Sequence, residues 1–299
     1  MKFNDTFKAN FSLAAICIIW GASYLAIGIG LESIPPLLFT GGRQIISGLI
    51  ICAFFILKGQ FRIEESELRM ILISGGCIVF VSQALVNCAL MYVPGGIAAL
   101  LYTTVPLWVI LLNVVLKIDK PGKMMVAGIS LALIAMVILY YDSAKDLLKQ
   151  EYLLGIIAIL IANIFWALGS VLTRNIVFNT NPILVAGFQL LVFGSLLCGI
   201  SLGFESWKAV SIDSSAFYSL AYLIFFDQLI AYVCYIYALS KLPAGIVSIF
   251  SYVNPIIALF LGWFFRNEKL STETIVATFI IFCAVYLITK KDKQIEPVV

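Results

Sequence analysis

Ten stretches of mainly apolar residues succeed one another along this chain, and almost every charged residue falls between them. A helix needs about 20 apolar residues to cross the hydrocarbon core of a bilayer. The pattern predicts spanning helices over roughly 12–30, 36–57, 68–90, 95–116, 122–140, 152–174, 182–202, 215–239, 244–264 and 272–289. Composition closes off the soluble alternative. Hydrophobic residues make up 62% of the 299 and charged residues 12%, where soluble domains carry about 45–50% and about 25%. With a mean hydropathy of +1.07, lipid must solvate part of this surface. The expected fold class is an all-α polytopic membrane protein. The longest polar stretches, 58–69 and 142–151, leave no room for a soluble domain. The first span follows only Lys2 and Lys8 and has no small-residue cleavage site after it. It is read as a retained helix rather than a signal peptide.

The cations set an orientation. With both termini on one side, that side carries Lys2, Lys8, Lys58, Arg62, Arg69, Lys117, Lys120, Lys123, Arg174, Lys241, Lys290, Lys291 and Lys293. The other side carries Lys145, Lys149, Lys208, Arg266 and Lys269. Cytoplasmic loops hold the excess of Lys and Arg, so both termini are expected in the cytoplasm, with 290–299 as a cytoplasmic tail. A net charge of +3 without a basic, aromatic-interleaved stripe gives no nucleic-acid footprint. The absence of histidine excludes His-dependent zinc sites, histidine bases and Ser-His-Asp triads. The seven cysteines lie in apolar stretches without a C-x-x-C pair and read as small buried hydrophobes. No metal or cofactor is expected.

The chain also repeats itself. Trp20 and Trp166 are 146 residues apart, as are Gly41 and Gly187, and Gly48 and Gly194. Arg43 then falls opposite Gln189. Further on the offset is 149, matching Pro94, Gly96, Ile97 and Pro106 with Pro243, Gly245, Ile246 and Pro255. Two units follow, 12–140 and 152–289, each of five helices. Five is odd, so the second unit enters the membrane from the opposite side. Inverted repeats of this kind characterise secondary transporters, whose binding site lies near the midplane between the repeats.

Several local patterns, in order, resemble a known family. Ile18-Ile19-Trp20-Gly21-Ala22-Ser23-Tyr24 opens the first span, and Pro35-Pro36 precedes a second that contains Gly42-Arg43. Val93-Pro94-Gly95-Gly96-Ile97-Ala98-Ala99 and Thr104-Val105-Pro106-Leu107 mark the fourth, and Tyr252-Val253-Asn254-Pro255 the ninth. Together they resemble the EamA family of the drug/metabolite transporter superfamily. The resemblance implies two inverted EamA repeats, a central cavity, and most often export of amino acids, other metabolites or drugs across a bacterial inner membrane. The chain departs from that family in its eighth span, where Asp227-Gln228 stands in place of the usual small residues. Its first span also lacks the glutamate used by the small multidrug pumps of the superfamily.

Ionisable groups inside a bilayer cost about 2.5–3.5 kcal/mol or more, so they face a cavity or a partner. Arg43 is a candidate partner for a substrate anion; a structural ion pair or snorkelling would explain it equally. Asp227 is a candidate proton carrier, a partner for a substrate amine, a partner for Arg43, or a plain hydrogen-bond acceptor. Ser23, Gln83, Ser170, Gln189, Gln228 and Asn254 are candidate substrate contacts or interhelical ties, and Asn87, Thr103, Thr104 and Asn163 have the same polar character. Trp20 and Tyr24 share a helix face, as do Trp166 and Ser170, and the aromatics are candidate cavity walls or packing. Tyr102 and Tyr252 flank the mid-span prolines. Pro106 and Pro255 each remove a backbone donor, which suits a gate or a static kink.

The function expected from all this is a secondary transporter exporting a small metabolite or drug, with import of a metabolite or cofactor as the alternative. An intramembrane lipid-modifying enzyme is the rival from another class, and the missing histidine and carboxylate cluster argue against it. Expected partners are a small-molecule substrate, the bilayer and, if Asp227 titrates, protons. A homodimer is one option the sequence leaves open. There is no G-x-x-x-x-G-K-[ST] loop for ATP.

Overall fold

The computed structural model describes residues 3–93, 95–118, 121–141, 149–175, 179–207, 210, 213–266 and 272–289. The tail 290–299 lies outside the described residues. Ten helical segments form among them. They are α1 (Phe3–Leu31), α2 (Pro36–Leu57), α3 (Glu65–Ala89), α4 (Gly95–Tyr102 and Val105–Val115) and α5 (Lys123–Leu139). They continue as α6 (Leu153–Asn175), α7 (Pro182–Phe204), α8 (Ser214–Lys241), α9 (Ala244–Val247 and Phe250–Arg266) and α10 (Thr272–Thr289). Among the described residues, eight helices are long and apolar enough to cross a membrane; Lys123–Leu139 and Ala244–Ala258 are shorter apolar helices. No strand occurs among the described residues. The chain is an all-α polytopic membrane protein, and the edges expected from hydropathy fall within a few residues of the helix ends, apart from the start of α1, which begins at Phe3 instead of 12.

Helix contacts repeat when each element is exchanged for the one five places on. α2 packs along α7 and α5 along α10. α1 packs on α8 and α9, as α6 packs on α3 and α4. The third helix of each half carries a wide π-helical stretch at mid-span, Gly76–Ser82 in α3 and Leu223–Tyr232 in α8. The extra residue per turn there shifts the facing of everything that follows.

The fourth helices are interrupted, though not alike. In α4 the break lies at Thr103 and Thr104, and the Leu101 carbonyl there accepts from Thr104 N–H at 3.0 Å, from the Thr104 hydroxyl at 2.7 Å and from Asn163 of α6 at 2.8 Å. Pro106 then sits in the first turn of the next segment, where its missing N–H would have no partner anyway. In α9 the break precedes Phe250, and Pro255 lies inside the helix.

The α2–α7 contact is backbone on backbone. A Cβ at Gly48 would stand 2.5 Å from Leu191 N and 2.8 Å from the Gly187 carbonyl oxygen, and one at Gly41 2.8 Å from the Gly194 carbonyl oxygen. Small residues allow this approach where lipid supplies no hydrophobic drive between helices.

Carboxylates from neighbouring elements hold the starts of these two helices. Glu205, just past α7, accepts from the backbone N–H groups of Leu37 and Leu38 at 2.8 and 2.9 Å. Glu67 of α3 accepts from Asn179 and Thr180 N–H at 2.6 and 3.0 Å, immediately before α7. Glu205 satisfies donors that the start of α2 leaves unpaired, and both carboxylates lie at the positive end of a helix. Glu205→Gln is expected to lower stability by about 1–3 kcal/mol, since hydrogen bonds to a charged acceptor are the stronger class. The thermal midpoint in detergent checks this, and an unchanged midpoint would show the clamp to be idle.

Candidate functional site

One cavity gathers most of the residues singled out in the sequence. It holds about 550 Å³ of empty space, counting its open mouth, and is walled by α1, α2, α3, α4, α6, α8 and α9. Its lining runs from Trp20 and Trp166 at mid-helix to Ile27 and Leu90, near the ends of α1 and α3.

Aromatic side chains make the floor. Trp20 and Trp166, at matching positions in the two halves, meet edge to face at 5.5 Å. Phe250 lies 4.9 Å from Trp20, and Tyr235 packs 5.2 and 5.3 Å from the two indoles. Edge-to-face geometry suits the quadrupoles of these rings.

Above the floor sit two opposite charges. Arg43 Nη1 of α2 bonds Asp227 Oδ2 of α8 at 3.1 Å, and the arginine is only 1% exposed. Gln228 Nε2 donates to the same Asp227 oxygen at 2.8 Å. Gln83 Oε1 of α3 accepts from Arg43 Nη2 at a long 3.4 Å, and the Phe39 ring lies 5.6 Å from the guanidinium. Among the described residues, three buried polar atoms of the lining have no hydrogen-bond partner: Arg43 Nε, Asn87 Oδ1 and Trp166 Nε1. Asn87 Nδ2, by contrast, donates to Thr40 Oγ1 and to the Gln83 carbonyl, both at 2.9 Å. The π-helical stretch in α8 carries Asp227 toward Arg43.

Trp20, Ser23, Arg43, Gln83, Tyr102, Trp166, Asp227 and Asn254 of the sequence candidates line this cavity. Tyr24 lies in α1, and its side chain is outside the described residues. Ser170, Gln189, Gln228 and Tyr252 do not line it. Ser170 instead bonds the Trp166 carbonyl and the Tyr235 hydroxyl beneath the floor. Gln189 is fully engaged elsewhere. It donates to the Ile71 carbonyl at 2.8 Å and to Ser74 at 3.1 Å, and accepts from Tyr232 at 2.8 Å. Tyr252 is buried with Ile129, Met136 and Ile281 where α9 meets α5 and α10.

Asn87, whose polar character the sequence marks, completes the lining with Ile27, Val86, Leu90 and Phe250, and these four were not among the sequence candidates. Helical spacing carries the missing signal for most of them. Trp20, Ser23 and Ile27 fall three and four residues apart, as do Gln83, Asn87 and Leu90 in reverse order, so each set shares one face.

The EamA-like transporter family model matches residues 7–141 and again 153–290. The chain belongs to that family. This EamA protein is 32% identical over 293 residues to the uncharacterized inner membrane transporter YedA of Escherichia coli K12, covering 97% of the chain and 93% of that relative. It is 22% identical to the uncharacterized transporter YoaV of Bacillus subtilis, over 94% of the chain and 97% of the relative. A probable amino-acid metabolite efflux pump of Escherichia coli K12 is 24% identical, with 91% of each chain covered. A crystal structure of a protein at 21% identity superposes with a TM-score of 0.80, covering 94% of this chain and 96% of that one; it bears on the fold alone. The EamA chain is thus a multi-pass membrane transporter.

Proposed function

We propose that this EamA transporter is a secondary carrier that exports a small polar metabolite across a bacterial inner membrane by alternating access through the Arg43–Asp227 cavity. The observation that carries the reading is the cavity itself, a buried ion pair above an aromatic floor at the junction of the two halves. A charge pair is costly inside a membrane unless it serves a pathway or structural partner. Here it lines a cavity whose wall also carries the unpartnered Asn87 Oδ1 and Trp166 Nε1. The excess of Lys and Arg supports cytoplasmic termini, and the name of the YedA relative supports the inner membrane. In that orientation the Ile27 and Leu90 end of the cavity would face away from the cytoplasm, and the aromatic cluster around Trp20 and Trp166 would block the inner path.

The other side of the molecule supports the alternation. Gln189 occupies the position equivalent to Arg43, and its bonds to Ile71, Ser74 and Tyr232 close the corresponding region of the second half. Exchanging the two arrangements would open the cytoplasmic side and close the mouth, which is how inverted repeats give alternating access. Arg43 and Asp227 would hold polar groups of cargo, Trp20 and Trp166 its apolar part, and the breaks near Pro106 and Pro255 would act as hinges.

Counterflow in proteoliposomes tests the reading. Vesicles loaded with a pool of unlabelled amino acids, sugars, nucleosides and quaternary amines should accumulate at least one labelled member above protein-free vesicles. Absence of counterflow across the whole pool would overturn the carrier reading. The efflux name of the Escherichia coli relative makes amino acids the first class to label.

A further inference from the structure

Resting on the carrier reading, we propose that the Arg43–Asp227 pair is a charge-splitting site for a dipolar cargo of zero net charge, and that the pair re-forms in the empty carrier so that its return needs no proton. Among the described residues, the cavity is lined by one positive and one negative side chain and by no other charged residue. Its charge is therefore balanced without cargo. A lone organic cation or anion entering this space would leave one of the two charges unmatched in a poorly solvated site, which is the strongest form of discrimination such a site has.

A zwitterion meets neither penalty. Its anionic end takes over Arg43, whose Nε has no partner and whose Nη2 holds Gln83 only at 3.4 Å. Its ammonium end takes over Asp227 and finds a further acceptor in Asn87 Oδ1, which is buried and unbonded. The bond at 3.1 Å between the two side chains is then exchanged for two bonds to cargo, with no change in net charge. Trp20, Trp166 and Phe250 below supply the apolar surface for the remainder of the molecule.

The same pairing speaks to coupling. A proton-driven carrier uses a carboxylate that must be neutralised when cargo leaves. Here the groups facing Asp227 include Arg43 from α2 and Gln228 on its own helix, and both donate to it. Ser23 of α1 and Tyr102 of α4 line the same space. Arg43 provides the counter-charge a proton would otherwise provide, so the empty form is already electroneutral.

Proteoliposomes holding the purified full chain decide it. A labelled α-amino acid is compared with its methyl ester, a cation, and its N-acetyl derivative, an anion of similar size. Counterflow of the zwitterion should exceed both by at least about tenfold, the scale of 1.4 kcal/mol in differential binding. An imposed pH gradient should leave net zwitterion flux unchanged. Asp227→Asn should shift preference toward the N-acetyl anion and Arg43→Gln toward the ester, shifts that a purely structural pair would not produce. The Arg43→Gln/Asp227→Asn double variant buries no lone charge and should fold while losing discrimination among the three. Equal transport of ester and zwitterion, accumulation driven by the pH gradient, or variants that depress all three cargoes alike would each overturn the proposal. If other members of the metabolite pool show counterflow and the zwitterion does not, the charge-splitting site fails while the carrier reading stands.

Discussion

Arg43→Leu and Asp227→Leu, made singly, are each expected to destabilise the folded protein by about 3–5 kcal/mol, whereas the double Leu variant should lie close to the parent. Each single change strands one charge in a site where its partner is nearly inaccessible; Arg43 is 1% exposed and Asp227 6%. The remaining group keeps its desolvation cost without its counter-ion. Removing both relieves that cost and leaves apolar side chains facing a cavity already walled by Val86 and Leu90. At 1.4 kcal/mol per factor of ten, the single variants should lose about a hundredfold to a few thousandfold of their folded-to-unfolded ratio. Thermal midpoints of detergent-purified protein give the comparison. Singles as stable as the parent would show that cavity water solvates the lone charge. Transport should be lost in all three, so stability and function separate in the double variant. That separation distinguishes a pair kept for cargo from one kept for folding.

The spans, their order and the pairing of the halves were legible because each rests on a property a linear sequence carries, the length of apolar runs and the placement of tryptophan, glycine and proline. The spacing of Trp20 and Trp166 marks them as equivalent, and their contact at 5.5 Å is a property of the fold. The equivalence of Arg43 and Gln189 was legible too, but their different surroundings were not. Arg43 faces the cavity while Gln189 ties α7 to α3 and α8. A two-fold relation in sequence cannot say which side of the axis is open. The π-helical stretches at Gly76–Ser82 and Leu223–Tyr232 were hidden for another reason. Facing arguments assume 3.6 residues per turn, and one wide turn rotates the later side chains out of that phase. Ser170 shares a helix face with Trp166, yet it bonds Tyr235 below the floor, because the floor ends one turn away.

Gly48→Leu is expected to abolish the native fold, while Gly42→Ala, only six positions away on α2, should be neutral or slightly stabilising. Helix propensity favours both changes, since glycine is about 0.8–1.0 kcal/mol worse than alanine inside a helix. Packing decides between them. A Cβ at Gly42 meets nothing within 4 Å, whereas one at Gly48 would stand 2.5 Å from Leu191 N and 2.8 Å from its Cα. Those neighbours are backbone of α7 and cannot turn aside as a side chain would. Overpacking a fitted contact typically costs about 1–3 kcal/mol, and a leucine adds three further carbons where even the first does not fit. The α2–α7 helices must then part along the line where Gly41 meets Gly194 and Gly48 meets Gly187. Because Arg43 is carried on α2 and the Glu205 clamp holds the start of the same helix, that displacement also pulls the guanidinium away from Asp227. Expression and monodispersity in detergent read the first effect, and the midpoint of Gly42→Ala the second. A well-folded Gly48→Leu protein would mean that the two halves are not held together along this contact.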